Sequence, residues 1–377
     1  MGWHLPFDRA GRCLTRGQRA LARRHFSEAE RLLREALIAD PHSAPIHMYL
    51  GHALAEQERL PEAEAALERA AALAPDKFVF PLHLGIVRLD ADHHASAREA
   101  LARAARLAPD NPLVAGYLDL VAWADGEHDR LDALGRRARE LSESFRARLL
   151  LHLAAWTLRT RGGKAAVALL EPPPDRGLAI PLPAALRARW RHRRAERAHR
   201  LLEAGRFEDA ADYLAAQPGA LDGPHAHALL ERARRGAVSA VATALERAAP
   251  GDRRALLLRR YEYENDLGDH EAASRTLQAW LAGYHQDAAP ASETSVAEAA
   301  ARRLAELDVA RGDFERALQH CAASRAARPA RETHGVEALA LLGLGRRRSA
   351  RHRFEDFLAD ALFPIDIAVA RVRESAA

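Results

Sequence analysis

Lysine is almost missing from this chain: only Lys77 and Lys164 occur, and arginine supplies the rest of the positive charge. Arginine, alanine, glycine and proline share GC-rich codons, so the bias points to a GC-rich bacterial genome. The formal charge of +4 over 377 residues is therefore weak evidence for nucleic acid. Cysteine is nearly absent too. Cys13 and Cys321 lie more than 300 positions apart, which excludes a CxxC motif and a disulfide framework and suggests a reducing compartment. No apolar run reaches the length of a membrane span. Met1–Asp8 shows no basic stretch leading into an apolar one, so no secretory signal is expected and a cytoplasmic location is. Aromatics are 6% of residues, and the apolar set is dominated by alanine and leucine. Such a composition favours helices packed through close backbone approach, and an all-α fold.

What the chain does contain is repetition. Pro41, Pro75 and Pro109 are spaced by 34 residues, as are Gly17, Gly51 and Gly85. The same interval separates Ala29, Ala63 and Ala97, then Leu33, Leu67 and Leu101, then Ala36, Ala70 and Ala104. A 34-residue unit accommodates two helices of about a dozen residues and two short turns. The glycine and the alanines mark where two helices cross, the leucine fills the space between them, and the proline closes the unit.

This arrangement closely resembles the tetratricopeptide repeat family, although the large aromatic of that family's first helix is replaced by Cys13, His47 and Pro81. The resemblance implies a right-handed superhelical solenoid of stacked antiparallel helix pairs. Later units are marked by turns similar to the family's: Gly205–Ala210, Gly268–Ala273 and Gly312–Ala317. A regular array is expected over 9–143, its fourth unit degenerate with Leu131 and Gly135 off pattern. A helix pair broken at Gly162-Gly163 follows over 144–171, then a proline-rich break over 172–183. A second, degenerate array is expected over 184–362, including a helix pair around Gly236. Residues 363–377 are expected to cap the last repeat, because terminal repeats need a cover.

No motif carries chemistry. HExxH is absent among the nineteen histidines, Gly162-Gly163-Lys164 lacks the remainder of a phosphate loop, and no carboxylate pair stands out. The expectation is a chain without catalytic residues, cofactor or metal. The strongest charge run holds Arg187, Arg189, Arg191, Arg193, Arg194, Arg197 and Arg200 around Trp190. A solvated helix face is the first reading. The second is a patch for an acidic partner, with Arg187, Trp190, Arg191, Arg194 and Arg197 as its candidates; nucleic acid comes third. The run Arg346-Arg347-Arg348 with Arg351 and Arg353 reads the same way.

By analogy with the family, the inner face of the superhelix is lined by the first helix of each unit. That places Met48, His52, Val79, Leu82, Ile86, Leu89, Leu120 and Trp123 in the groove, an apolar stripe without the basic residues and Asn of a carboxylate clamp. Such a stripe suits a protein or peptide partner. The alternative is that these side chains pack against a neighbouring helix or the chain's own tail. The functional expectation is a non-catalytic scaffold or adaptor. Two readings stand beside it: a regulatory or substrate-presenting subunit of a separately encoded enzyme complex, and an assembly factor.

Overall fold

The computed structural model describes residues 6–171, 195–216, 224–286, 293–359 and 365–376, and these are helical with short turns and no strand among them. The chain forms two units: residues 1–170 together with 341–377, and residues 171–340.

Unit 1 opens with four helix pairs: α1 (Pro6–Ala22) with α2 (Phe26–Ala39), α3 (Ala44–Ala55) with α4 (Leu60–Leu73), α5 (Val79–Asp90) with α6 (His94–Leu107), and α7 (Pro112–Ala124) with α8 (Leu131–Glu140). The 34-residue spacing has a steric cause. A Cβ built on Gly17, Gly51 or Gly85 would stand 2.9, 2.7 or 2.6 Å from Cγ of Leu33, Leu67 or Leu101. Those leucines, and the alanines at both repeated positions, are fully buried. Each glycine is thus the slot into which the partner helix sets its leucine.

The turn inside each pair is also repeated. Arg24, Glu58 and Asp92 have φ of 59°, 60° and 61°, and the following amide closes the helix by bonding back, as in His25 N to Ala20 O at 2.9 Å. This left-handed position costs a residue with a Cβ about 1 kcal/mol and usually belongs to glycine. Glycine does hold it in the later turns at Gly126, Gly205, Gly268, Gly312 and Gly345.

Next comes α9 (Glu143–Ala168), whose backbone leaves helical geometry at Gly162 (φ 79°), where the sequence placed the break. The chain then leaves unit 1 and re-enters it for α18 (Arg347–Ala359) and α19 (Ile365–Ala376), which pack on α9 and on α8 with α9 respectively. This corrects two expectations. Residues 341–362 belong with the first array, and the closing segment covers α8 and α9 rather than the last repeat. Gly135, off pattern as a repeat residue, makes room for α19: a Cβ there would lie 3.2 Å from Val369. Arg371 bonds the carbonyl of Ala168, and Arg373 pairs with Asp132 at 3.1 Å.

Unit 2 contains the helix at 195–203 (α10), α11 (Phe207–Ala215), α12 (Pro224–Arg247), α13 (Pro250–Asp266), α14 (His270–Gln286), α15 (Thr294–Arg311), α16 (Phe314–Ala327) and most of α17 (Arg331–Gly343). Consecutive helices from α11 to α16 pack on one another. The pair expected around Gly236 is one continuous helix, α12. Gly236 is a contact site, since a Cβ on it would sit 2.2 Å from the Phe207 ring. The break over 172–183 lies outside the described residues.

Candidate functional site

The inner row of unit 1 is built by one face each of α3, α5 and α7, with α9 and α18 across from them. Helical spacing aligns Tyr49, His52 and Glu56 on one face of α3. The equivalent residues 34 positions on, His83, Ile86 and Asp90, line α5, and Tyr117 continues the row on α7. With Arg148 of α9 and Arg348, Arg351 and His352 of α18, they surround a cavity of about 480 Å³.

Buried charge organises this site. The Arg351 side chain is only 5% exposed and bridges two repeats, donating to Glu56 at 2.6 Å and to Asp90 at 3.0 Å. Glu56 also accepts from Arg348 Nε at 2.8 Å and lies 2.7 Å from His352 Nε2. Arg148 faces both oxygens of Asp90 at 3.3 Å and donates to Ser144 at 2.7 Å. At the rims, Arg24 pairs with Glu355 at 3.4 Å, Arg347 pairs with Asp92, and the Phe26 and His352 rings stack 6.1 Å apart.

These contacts set the protonation of the site. Burial pushes the Glu56 carboxyl up, but hydrogen bonds from His352 and Arg348 and the charge of Arg351 outweigh it and hold the group below the ordinary range. Asp90 is likewise held low against its burial by Arg148 and Arg351. His52 and His83 touch through ring nitrogens at 3.0 Å. Burial, helped by neighbouring positive charge, lowers His52 to about 3 and His83 to about 4. His152, beside Arg347, falls to about 3 for the same reason. His52, His83 and His152 are thus neutral while the two carboxylates stay charged.

The eight groove residues named from the sequence fall mostly elsewhere. Met48, Leu82, Ile86, Leu89, Leu120 and Trp123 are buried, while His52 and Val79 are half-buried. Of the eight, His52 and Ile86 line the cavity. The neighbours Tyr49, His83 and Asp90, one residue further on than Met48, Leu82 and Leu89, occupy the inner row, because one residue of register turns a helix face by about 100°. The row is therefore polar. Arg347, Arg348 and Arg351, read from the sequence as a solvated face, are paired inside unit 1; the reason is that their acidic partners stand more than 250 residues upstream. Arg187, Trp190, Arg191 and Arg194 lie outside the described residues. Arg197 is exposed, with its guanidinium 4.7 Å over the Tyr213 ring. Among the described residues, no cluster of three His, Cys, Asp or Glu side chains is arranged to hold a metal, and no helix is long and apolar enough to cross a membrane.

The family model for the tetratricopeptide repeat matches residues 14–77, the stretch in which the first two glycine–leucine slots occur. Residues 14–77 carry tetratricopeptide repeats. The third slot, Gly85 on Leu101, extends the tetratricopeptide geometry beyond the matched stretch. Solved structures that align with the chain include MamA from Desulfovibrio magneticus RS-1, at 22% identity over 43% of this chain and 90% of that one, with a TM-score of 0.33. PilF of Pseudomonas aeruginosa aligns at 13% identity over 83% and 92%, with a TM-score of 0.29. The first tetratricopeptide domain of Spaghetti (RPAP3), bound to an HSP90 peptide, aligns at 19% identity over 33% and 100%, with a TM-score of 0.31. At these scores none of them bears on function. No curated protein matches the chain.

Proposed function

We propose that this chain is a non-catalytic protein-interaction scaffold whose partner surface is the inner row of unit 1. Tetratricopeptide repeats stack helix pairs so that one helix of each pair lines a shared surface, and such surfaces serve recognition of helices and extended segments. The observation that carries the reading is that a helix, α18, already faces this row and is held there by the carboxylates that end α3 and α5 and by His152 of α9. A polar row with fixed, ionised carboxylates gives a scaffold specificity through charge placement more than raw affinity.

The test is site-specific photo-crosslinking in the native cell. A photoreactive residue at Gln18 or Leu113, both at the cavity, should trap a defined protein. The control is Ile38, 83% exposed on α2. A partner trapped only from Ile38 would move the interaction away from the inner row and sink the proposal.

A further inference from the structure

The inner row has an occupant whose chemistry can be read directly. Along α18, Arg348, Arg351, His352 and Glu355 line the cavity at spacings of three and four, which puts them on one face of the helix. The two arginines meet Glu56 and Asp90, while Phe354 and Phe357 are buried. Glu56 caps the end of α3 and Asp90 ends α5, so each carboxylate adds to the partial negative charge of a helix C-terminus. The two sites repeat 34 residues apart, and Arg351 reaches both.

A second observation is independent of these pairs. The first three repeats put Arg24, Glu58 and Asp92 in the left-handed turn position that glycine holds in later turns. Strain of this kind persists where the side chain is used. Arg24 reaches Glu355, Asp92 reaches Arg347, and Glu58 lines a cavity of about 300 Å³ along the flank of α18. The turns of the first and third repeats thus contact one helix, and the turn of the second faces it across a cavity.

We infer that the inner row of unit 1 is a receptor for an amphipathic helix that presents Arg-x-x-Arg-His-x-x-Glu on one face, and that α18 is its resident occupant, exchangeable for a partner helix of the same pattern. This rests on the inner row being the partner surface. A helix without the pattern cannot exchange, since removing α18 strands Glu56 and Asp90 without cations and exposes two phenylalanines. A helix that has it restores the same contacts, so exchange is close to balanced and is decided by tethering and concentration.

The probe is a fluorescent peptide of residues 344–360, titrated into the full chain. In the unaltered protein the tethered α18 should keep binding weak. The charge reversal R348E/R351E loosens α18 and should tighten peptide binding about tenfold or more. Adding Glu56→Gln and Asp90→Asn to that variant should remove the gain. A dimer that the peptide dissolves also supports the proposal, the second copy then supplying the helix. A folded R348E/R351E protein that binds no peptide overturns both the exchange and the inner row as partner surface. Equal binding of the peptide and of its Arg348→Ala/Arg351→Ala form overturns arginine recognition and leaves the surface in place. Should the double reversal not fold, Arg348→Ala gives the same decision by hydrogen exchange. Faster exchange confined to α18 and α19 supports the proposal, and unchanged exchange there refutes it.

Discussion

Gly85→Ala tests the packing that defines the repeat. The added methyl would lie 2.6 and 2.8 Å from Cγ and Cδ2 of Leu101 and 3.3 Å from the carbonyl oxygen of Ala97. Forcing a methyl into a filled slot costs about 1–3 kcal/mol, while alanine gains about 1 kcal/mol over glycine as a helix former. The net expectation is a loss of about 1 kcal/mol, or about 2–4 °C in the melting of a unit this size. Leu101→Ala alone should cost about 2–5 kcal/mol by leaving a cavity. In that background the sign should reverse: the alanine at 85 now enters vacated space and adds helix propensity, so the double variant is more stable than Leu101→Ala. Calorimetry of the full chain, with hydrogen exchange of α5 and α6 to locate the effect, measures all corners of the cycle. Across the array the penalty should grow from Gly17 to Gly51 to Gly85, following the gaps of 2.9, 2.7 and 2.6 Å. If Gly85→Ala stabilises the protein whether or not Leu101 is present, the slot does not constrain the helices and the account of the 34-residue period fails.

Leu82→Asp should destabilise unit 1 by about 3 kcal/mol or more, because Leu82 is 2% exposed and the carboxylate would be buried unpaired; an unchanged melting temperature would return Leu82 to the groove surface. Acid should weaken unit 1 in a defined window. Unfolded His52 takes up a proton near its ordinary 6.5 and folded His52 only near 3, so its contribution, whole above 6.5, is lost as pH falls between those values; His52→Gln should flatten the melting curve against pH over that range. Glu58→Gly should leave stability equal or raise it by up to about 1 kcal/mol by relieving the left-handed strain. Asp92→Gly should gain less in the same melting assay, since it also removes the partner of Arg347.

The repeat skeleton was legible because sterics fix it locally. Gly17 on Leu33 and Gly51 on Leu67 are close in sequence, and their spacing recurs. The left-handed turns at Gly205, Gly268 and Gly312 were legible for a similar reason, since few residues tolerate that backbone. The inner row was not. Met48 and Tyr49 are neighbours, and only the angle at which α3 packs decides which of them turns inward. Gly236 looked like a helix end because the Phe207 ring that explains it lies on another helix. The arginines of α18 looked solvated for a deeper reason: Glu56 and Asp90 are their counter-charges, and no periodicity links residue 351 to residue 56.

The division of unit 1 along the chain bears on how it forms during synthesis. Residues 1–170 emerge from the ribosome first, yet the segment that neutralises Glu56 and Asp90 and covers α8 and α9 is made only after all of residues 171–340. Until then the nascent array has its carboxylates without Arg348 and Arg351 and its α9 surface bare. Domains usually fold in order of translation, each as a unit. Here the later-starting unit finishes translation first, and the earlier one waits for its closure. A ribosome stalled anywhere in unit 2 therefore displays the inner row open, the one stage at which another helix meets no resident competitor.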